Sequence, residues 1–61
     1  MDEVIRVEQI VRDGTGFHYY IMIDRPEGQY RGTLDFDHEP RKDELDVEKD
    51  KWRAKVRYIT M

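Results

Sequence analysis

The stretch DELDVEKDKWRAKVRYI, Asp43 to Ile59, decides the fold of this chain. It can be read with either of the two periods that secondary structure imposes on side chains. With a period of two, Glu44–Glu48 turns Leu45 and Val47 inward. Trp52–Tyr58 then turns Trp52, Ala54, Val56 and Tyr58 inward, and Arg53, Lys55 and Arg57 outward. Closed as a hairpin, the segment sets Glu48 opposite Arg53, Asp46 opposite Lys55 and Glu44 opposite Arg57, three opposite-charge pairs worth about 0.2–1 kcal/mol each. With the helical period, Leu45, Trp52, Val56 and Ile59 fall within about 60° of arc. Asp43 would cap such a helix with Asp46 three positions on, and acids early with bases late suit the macrodipole. Against the helix stand like charges four apart (Asp46/Asp50, Lys49/Arg53, Lys51/Lys55, Arg53/Arg57). It would also expose Val47, Ala54 and Tyr58 on its back. The hairpin is therefore the expectation and the helix the alternative.

The rest of the chain reads more simply. Asp13-Gly14-Thr15-Gly16 and Arg25-Pro26-Glu27-Gly28 are turn signals. They separate three runs of period two, expected as strands over Glu3–Arg12, Phe17–Asp24 and Gln29–Asp37. If Arg25 and Gly28 close the second hairpin, Ile23 lies by Tyr30, Ile21 by Gly32, Tyr19 by Leu34 and Phe17 by Phe36, all on one face. Met22 by Arg31, Tyr20 by Thr33 and His18 by Asp35 form the other. A slip of one residue would mix the faces, so the hydrophobic pattern selects this register. At Gly32 the missing side chain leaves room for its neighbours. The first hairpin reads best with Val11 by Phe17, Val7 by Ile21 and Ile5 by Ile23. Together these readings predict an all-β fold, a five-stranded antiparallel meander or small SH3-like or OB-like barrel. The helical reading predicts an α+β fold, a three-stranded antiparallel meander with a C-terminal helix.

Sixty-one residues make one small domain, 1–61, with a thin core. The absence of cysteine removes disulfides and thiolate metal sites and fits a cytoplasmic location. No apolar run is long enough to span a membrane, and the start MDEVIRVEQ does not read as a secretory signal. Although mean hydropathy is −0.96 and 41% of residues are charged, regular patterning and seven aromatic residues argue for a folded chain. The net charge of −3 conceals a division. Asp35–Asp50 carries eight acids and three bases, and Lys51–Arg57 carries four bases and no acid.

Few residues suggest chemistry. His18 beside Asp35 resembles an oriented base, but serine is absent and no pattern places a Ser, Cys or Lys nucleophile near it. Asp35-Phe36-Asp37-His38-Glu39 offers oxygens without an EF-hand or HExxH spacing, so no metal and no cofactor is expected. The chain therefore reads as non-catalytic. Lys51, Arg53, Lys55 and Arg57, interleaved with aromatics, would suit single-stranded nucleic acid if they lined a strand. In the hairpin, however, Glu44, Asp46 and Glu48 already neutralise them, and nucleic acid stays the alternative. Mimicry of a phosphate backbone by the acidic segment is weaker still. The sharper feature is the sheet face away from the core. With Val4, Ile10, His18, Tyr20, Met22 and Arg31 it is too apolar for a wet face and carries residue types enriched at protein interfaces. The expected function is a protein-binding or regulatory module, an adaptor or small inhibitor, with another protein or a second copy of the chain as partner.

Overall fold

Two tight turns set the sheet. The computed structural model describes residues 4–60, with side chains through residue 56. It contains β1 (Val4–Asp13), β2 (Gly16–Arg25), β3 (Gly28–Phe36) and α1 (Lys42–Thr60). The strands form one antiparallel sheet in the order β1-β2-β3. Arg25 pairs with Gly28 around Pro26-Glu27, and the pairs run from Asp24–Gln29 to Phe17–Phe36 in the expected register. Gly28 (φ 150°) and Gly16 (φ 130°) adopt backbone angles that side chains of L-residues avoid. At Gly16 a Cβ would also run into the carbonyl of Phe36.

The first hairpin follows the expected register for only half its length. Val4–Asp24, Ile5–Ile23, Arg6–Met22 and Val7–Ile21 pair as read, but Val11 pairs with His18 rather than Phe17, and Ile10 pairs with Tyr19. Two local demands conflict here. The loop Gly14-Thr15 closes on Asp13 paired with Gly16, and Asp13 Oδ1 accepts from the Thr15 N–H at 2.8 Å and from its hydroxyl at 2.6 Å. The core requires Ile5 and Val7 beside Ile23 and Ile21. The two registers differ by one residue, and the shift between Val7 and Gln9 leaves Glu8 as the extra one, a β-bulge.

The five-stranded barrel is not formed: residues 42–60 are a helix, and the fold is α+β with an open sheet. Three causes favour the helix. A hairpin would have to turn within Lys49–Trp52, which holds no Gly, Pro or Asn. The unfavourable spacings at four are offset at three, where Lys51 Nζ lies 3.3 Å from Glu48 and Arg53 Nη1 lies 3.4 Å from Asp50. As a helix the segment seats Trp52 on Gly32, with Leu45 packed on the core and Val56 buried. Its cap differs from the expectation too. Arg41 rather than Asp43 is the boundary residue, its carbonyl accepting from Leu45 N at 2.9 Å. Glu44, at the third helical position, reaches back to Arg41 N at 3.4 Å, half of a capping box. Val47 stays 52% exposed on the back of the helix. Tyr58 and Ile59 have side chains outside the described residues.

The core lies between α1 and one sheet face. Tyr19, Ile21, Leu34 and Phe36 are buried, with Ile5, Val7, Phe17, Leu45 and Trp52 packed around them. Tyr19 and Phe36 meet edge to face at 5.7 Å. Trp52 crosses the sheet at Gly32, where a Cβ would stand 2.7 Å from Cε2 and 2.9 Å from Cζ2 of the indole. A side chain there forces the helix off the sheet. Gly32→Ala should destabilise the protein by about 1–3 kcal/mol in urea unfolding, the cost of overpacking. Gly14→Ala, where a Cβ meets nothing within 4 Å, should be near neutral. Equal effects of the two substitutions would show that the Trp52 contact does not hold the helix.

Candidate functional site

The helix covers one face of the sheet, and no described element is stacked on the other. That outer face is a grid of cross-strand rows, β1 to β3. Val4, Asp24 and Gln29 make the first row, and Arg6, Met22 and Arg31 the second. Gln9, Tyr20 and Thr33 make the third, and Val11, His18 and Asp35 the fourth. Tyr20 stands at the centre and is 41% exposed. Arg31 Nε donates to Glu8 at 3.1 Å, tying β3 to the bulge across β2. Beside Tyr20, between Glu8 and Gln9 on one side and Arg31 and Thr33 on the other, lies an open hollow of about 490 Å³.

The structure separates the residues expected on this face. Val4 (57% exposed), His18, Tyr20 and Arg31 share it. Met22 belongs to it by register but is 1% exposed, lying between Arg6 and Arg31 with Arg6 Nη2 at 4.0 Å from its sulfur. Arginine stems cover apolar groups while their heads stay in water. Met22 thus offers no surface. Ile10, 55% exposed, is moved by the bulge onto the parity of Tyr19, while Val11 takes its place. The bulge carried no sequence signal of its own; only a conflict between turn and core registers could have revealed it.

The basic residues do not form a strand surface. In α1, Lys51 and Lys55 share one side and Arg53 falls roughly opposite. Lys51 and Arg53 are each paired with an acid of the same helix. Arg57 belongs to the helix, but its side chain lies outside the described residues.

Both histidines are clamped between carboxylates. His18 Nδ1 lies 2.7 Å from Asp35 Oδ1, and Nε2 lies 3.2 Å from Asp13 Oδ1 and 2.8 Å from Thr15 Oγ1. Thr15 is the hydroxyl that sequence reasoning missed, because the bulged register is what brings the turn up to His18. Hydroxyl, imidazole and carboxylate are spaced like a nucleophile, base and orienting acid. The fourth member changes the chemistry. Hydrogen bonds from the ring to the carboxylates of Asp35, then Asp13, raise the pKa of His18 and favour its protonated form. Thr15 gives its proton to Asp13, and its hydroxyl bond, with the backbone N–H, lowers the Asp13 pKa from 3.8 to about 2. A cationic imidazole takes no proton from a hydroxyl. The second clamp joins sheet to helix. His38 Nδ1 lies 2.6 Å from Asp37 and Nε2 lies 2.6 Å from Glu44, which raises the His38 pKa and lowers that of Asp37.

The signs give a pH profile. A raised histidine pKa contributes stability that is full below the unfolded value of 6.5 and fades as pH rises through the folded value. The depressed Asp13 contributes above 3.8 and is lost as pH falls toward about 2. Melting temperature should therefore decline above about pH 6.5, and the pair His18→Gln/His38→Gln should flatten that decline. NMR titration of the ring protons checks the cause; midpoints at or below 6.5 would remove it.

Among the described residues no group of histidine, aspartate and glutamate side chains is arranged to hold a metal ion, and no helix is long and apolar enough to cross a membrane. No protein-family model, curated protein or solved structure matches the chain, so the function of this face is read from its own chemistry.

Proposed function

We propose that this chain is a non-catalytic protein-interaction module that acts through the outer face of its sheet, with Tyr20 at the centre of the contact. The observation that carries the reading is that no described element is stacked on this face. A half-exposed tyrosine stands between a row with two arginines and a row with an acid, beside a hollow that can take a side chain. Tyrosine and arginine are the residue types on which binding energy concentrates. Among the described residues the main core cluster lies on the other side of the sheet. The clamp of His18 between Asp13 and Asp35, which favours its protonated form, supports a binding role over a catalytic one. An adaptor or a small inhibitor would use such a surface, and the cysteine-free composition suits action in the cytoplasm.

Tyr20→Glu places a charge at the centre of this face without touching the core. Affinity capture from a lysate of the source cells should lose its specific partners by about tenfold or more with this variant. Circular dichroism and the unfolding midpoint should stay within error of the parent chain. Capture unchanged by the substitution would overturn the reading.

A further inference from the structure

We infer that the occupant of the outer face is a second copy of this chain, stacked face to face with its strands antiparallel to the first. The inference rests on the function proposed above and goes further by naming the partner.

Tyr20 lies midway between the row Arg6-Met22-Arg31 and the row Val11-His18-Asp35. With the strands of the two copies aligned, two in-plane twofold axes bring this face against its own copy. An axis along the strands would set Arg6 over Arg31 of the other copy and His18 over His18. An axis across the strands, through Tyr20, keeps β3 over β3 and exchanges the two rows. Arg31 then meets Asp35 of the second copy, and the pair occurs twice by symmetry. Both side chains have room for this. Arg31 remains 60% exposed beside Glu8, and Asp35 remains 65% exposed with only Oδ1 engaged by His18. Shape follows the same axis. Each Tyr20 lies next to the hollow beside its twin, so the two rings pass side by side and pack offset, the arrangement aromatic pairs favour. Face-to-face sheets keep their strands within about 30° of parallel or antiparallel, which leaves Arg31 within reach of the opposite Asp35.

The area sets the strength. Three strands about 4.8 Å apart and about 33 Å long present roughly 480 Å² per copy, below the roughly 800 Å² of a stable complex. The dimer is therefore transient and concentration-dependent.

Sedimentation equilibrium from about 10 μM to 1 mM tests it, spanning the range of weak interfaces. The parent chain should rise from monomer toward twice its mass. Tyr20→Glu, Arg31→Asp and Asp35→Arg should each weaken self-association by about tenfold. Mixed in equal amounts, Arg31→Asp and Asp35→Arg should associate with each other near the parent affinity, because each restores the pair the other lost. A mixture no tighter than its components overturns the antiparallel stack. A parent chain that stays monomeric overturns the second copy altogether, while loss of captured partners on Tyr20→Glu would still uphold the broader binding role. Should Asp35→Arg fail to fold, isotope-filtered NOEs decide in the parent chain. Contacts of Tyr20 with Tyr20 and of Arg31 with Asp35 between copies uphold the stack, and a dimer without them refutes it.

Discussion

The indole of Trp52 lying on the bare backbone of Gly32 is the contact on which the rest of the structure depends. It is where the helix meets the sheet, and it works because one residue is large and the other has no side chain. A half-buried tryptophan removes on the order of 100–150 Å² of apolar surface from water, about 2–4 kcal/mol. A 61-residue chain has in all about 3–9 kcal/mol of stability. One contact is thus comparable with the net stability of the fold. It also directs everything else. With Trp52 seated on β3, Leu45 and Val56 come down on the same sheet face, and no described element is stacked on the opposite one.

The bulge at Glu8 is the second decision. A turn closed by Asp13 and Thr15 and a core built on Ile5 and Val7 call for registers one residue apart, and the chain satisfies both by leaving one residue unpaired. This choice shapes the outer face more than any side chain does. It withdraws Ile10, brings in Val11, sets Glu8 against Arg31 and opens the hollow beside Tyr20. It also carries the turn hydroxyl of Thr15 to His18, producing a cluster whose spacing suggests catalysis while its charge state opposes it.

The two histidine clamps show how a highly charged chain arranges its surface. Each imidazole gathers two carboxylates from separate parts of the chain: Asp13 at the end of β1 and Asp35 in β3 for His18, and Asp37 just after β3 and Glu44 at the helix start for His38. The His38 clamp acts at the helix end farthest from Trp52, so packing and electrostatics hold α1 at separate points. An acidic region that reads in sequence as a uniform solvated surface is in fact partly committed to these contacts.

The sequence by itself determined the central hairpin. Alternating side chains in β2 and β3 and the turn Arg25–Gly28 point to one register, and that register already sets His18 beside Asp35 and Ile21 beside Gly32. Pattern and turn agree there, so no distant contact is needed. The period of Asp43–Ile59 was not decided locally, because its charges satisfy a hairpin by cross-strand pairing and a helix by pairing at three. What decides is a partner about twenty residues before Trp52 and outside any local pattern's view: the notch at Gly32, which the helix fills with Trp52 while packing Leu45 and Val56 inward. The burial of Met22 and the displacement of Ile10 are likewise tertiary. Alternation tells which way a side chain points, whereas what covers it depends on chain brought there by the fold.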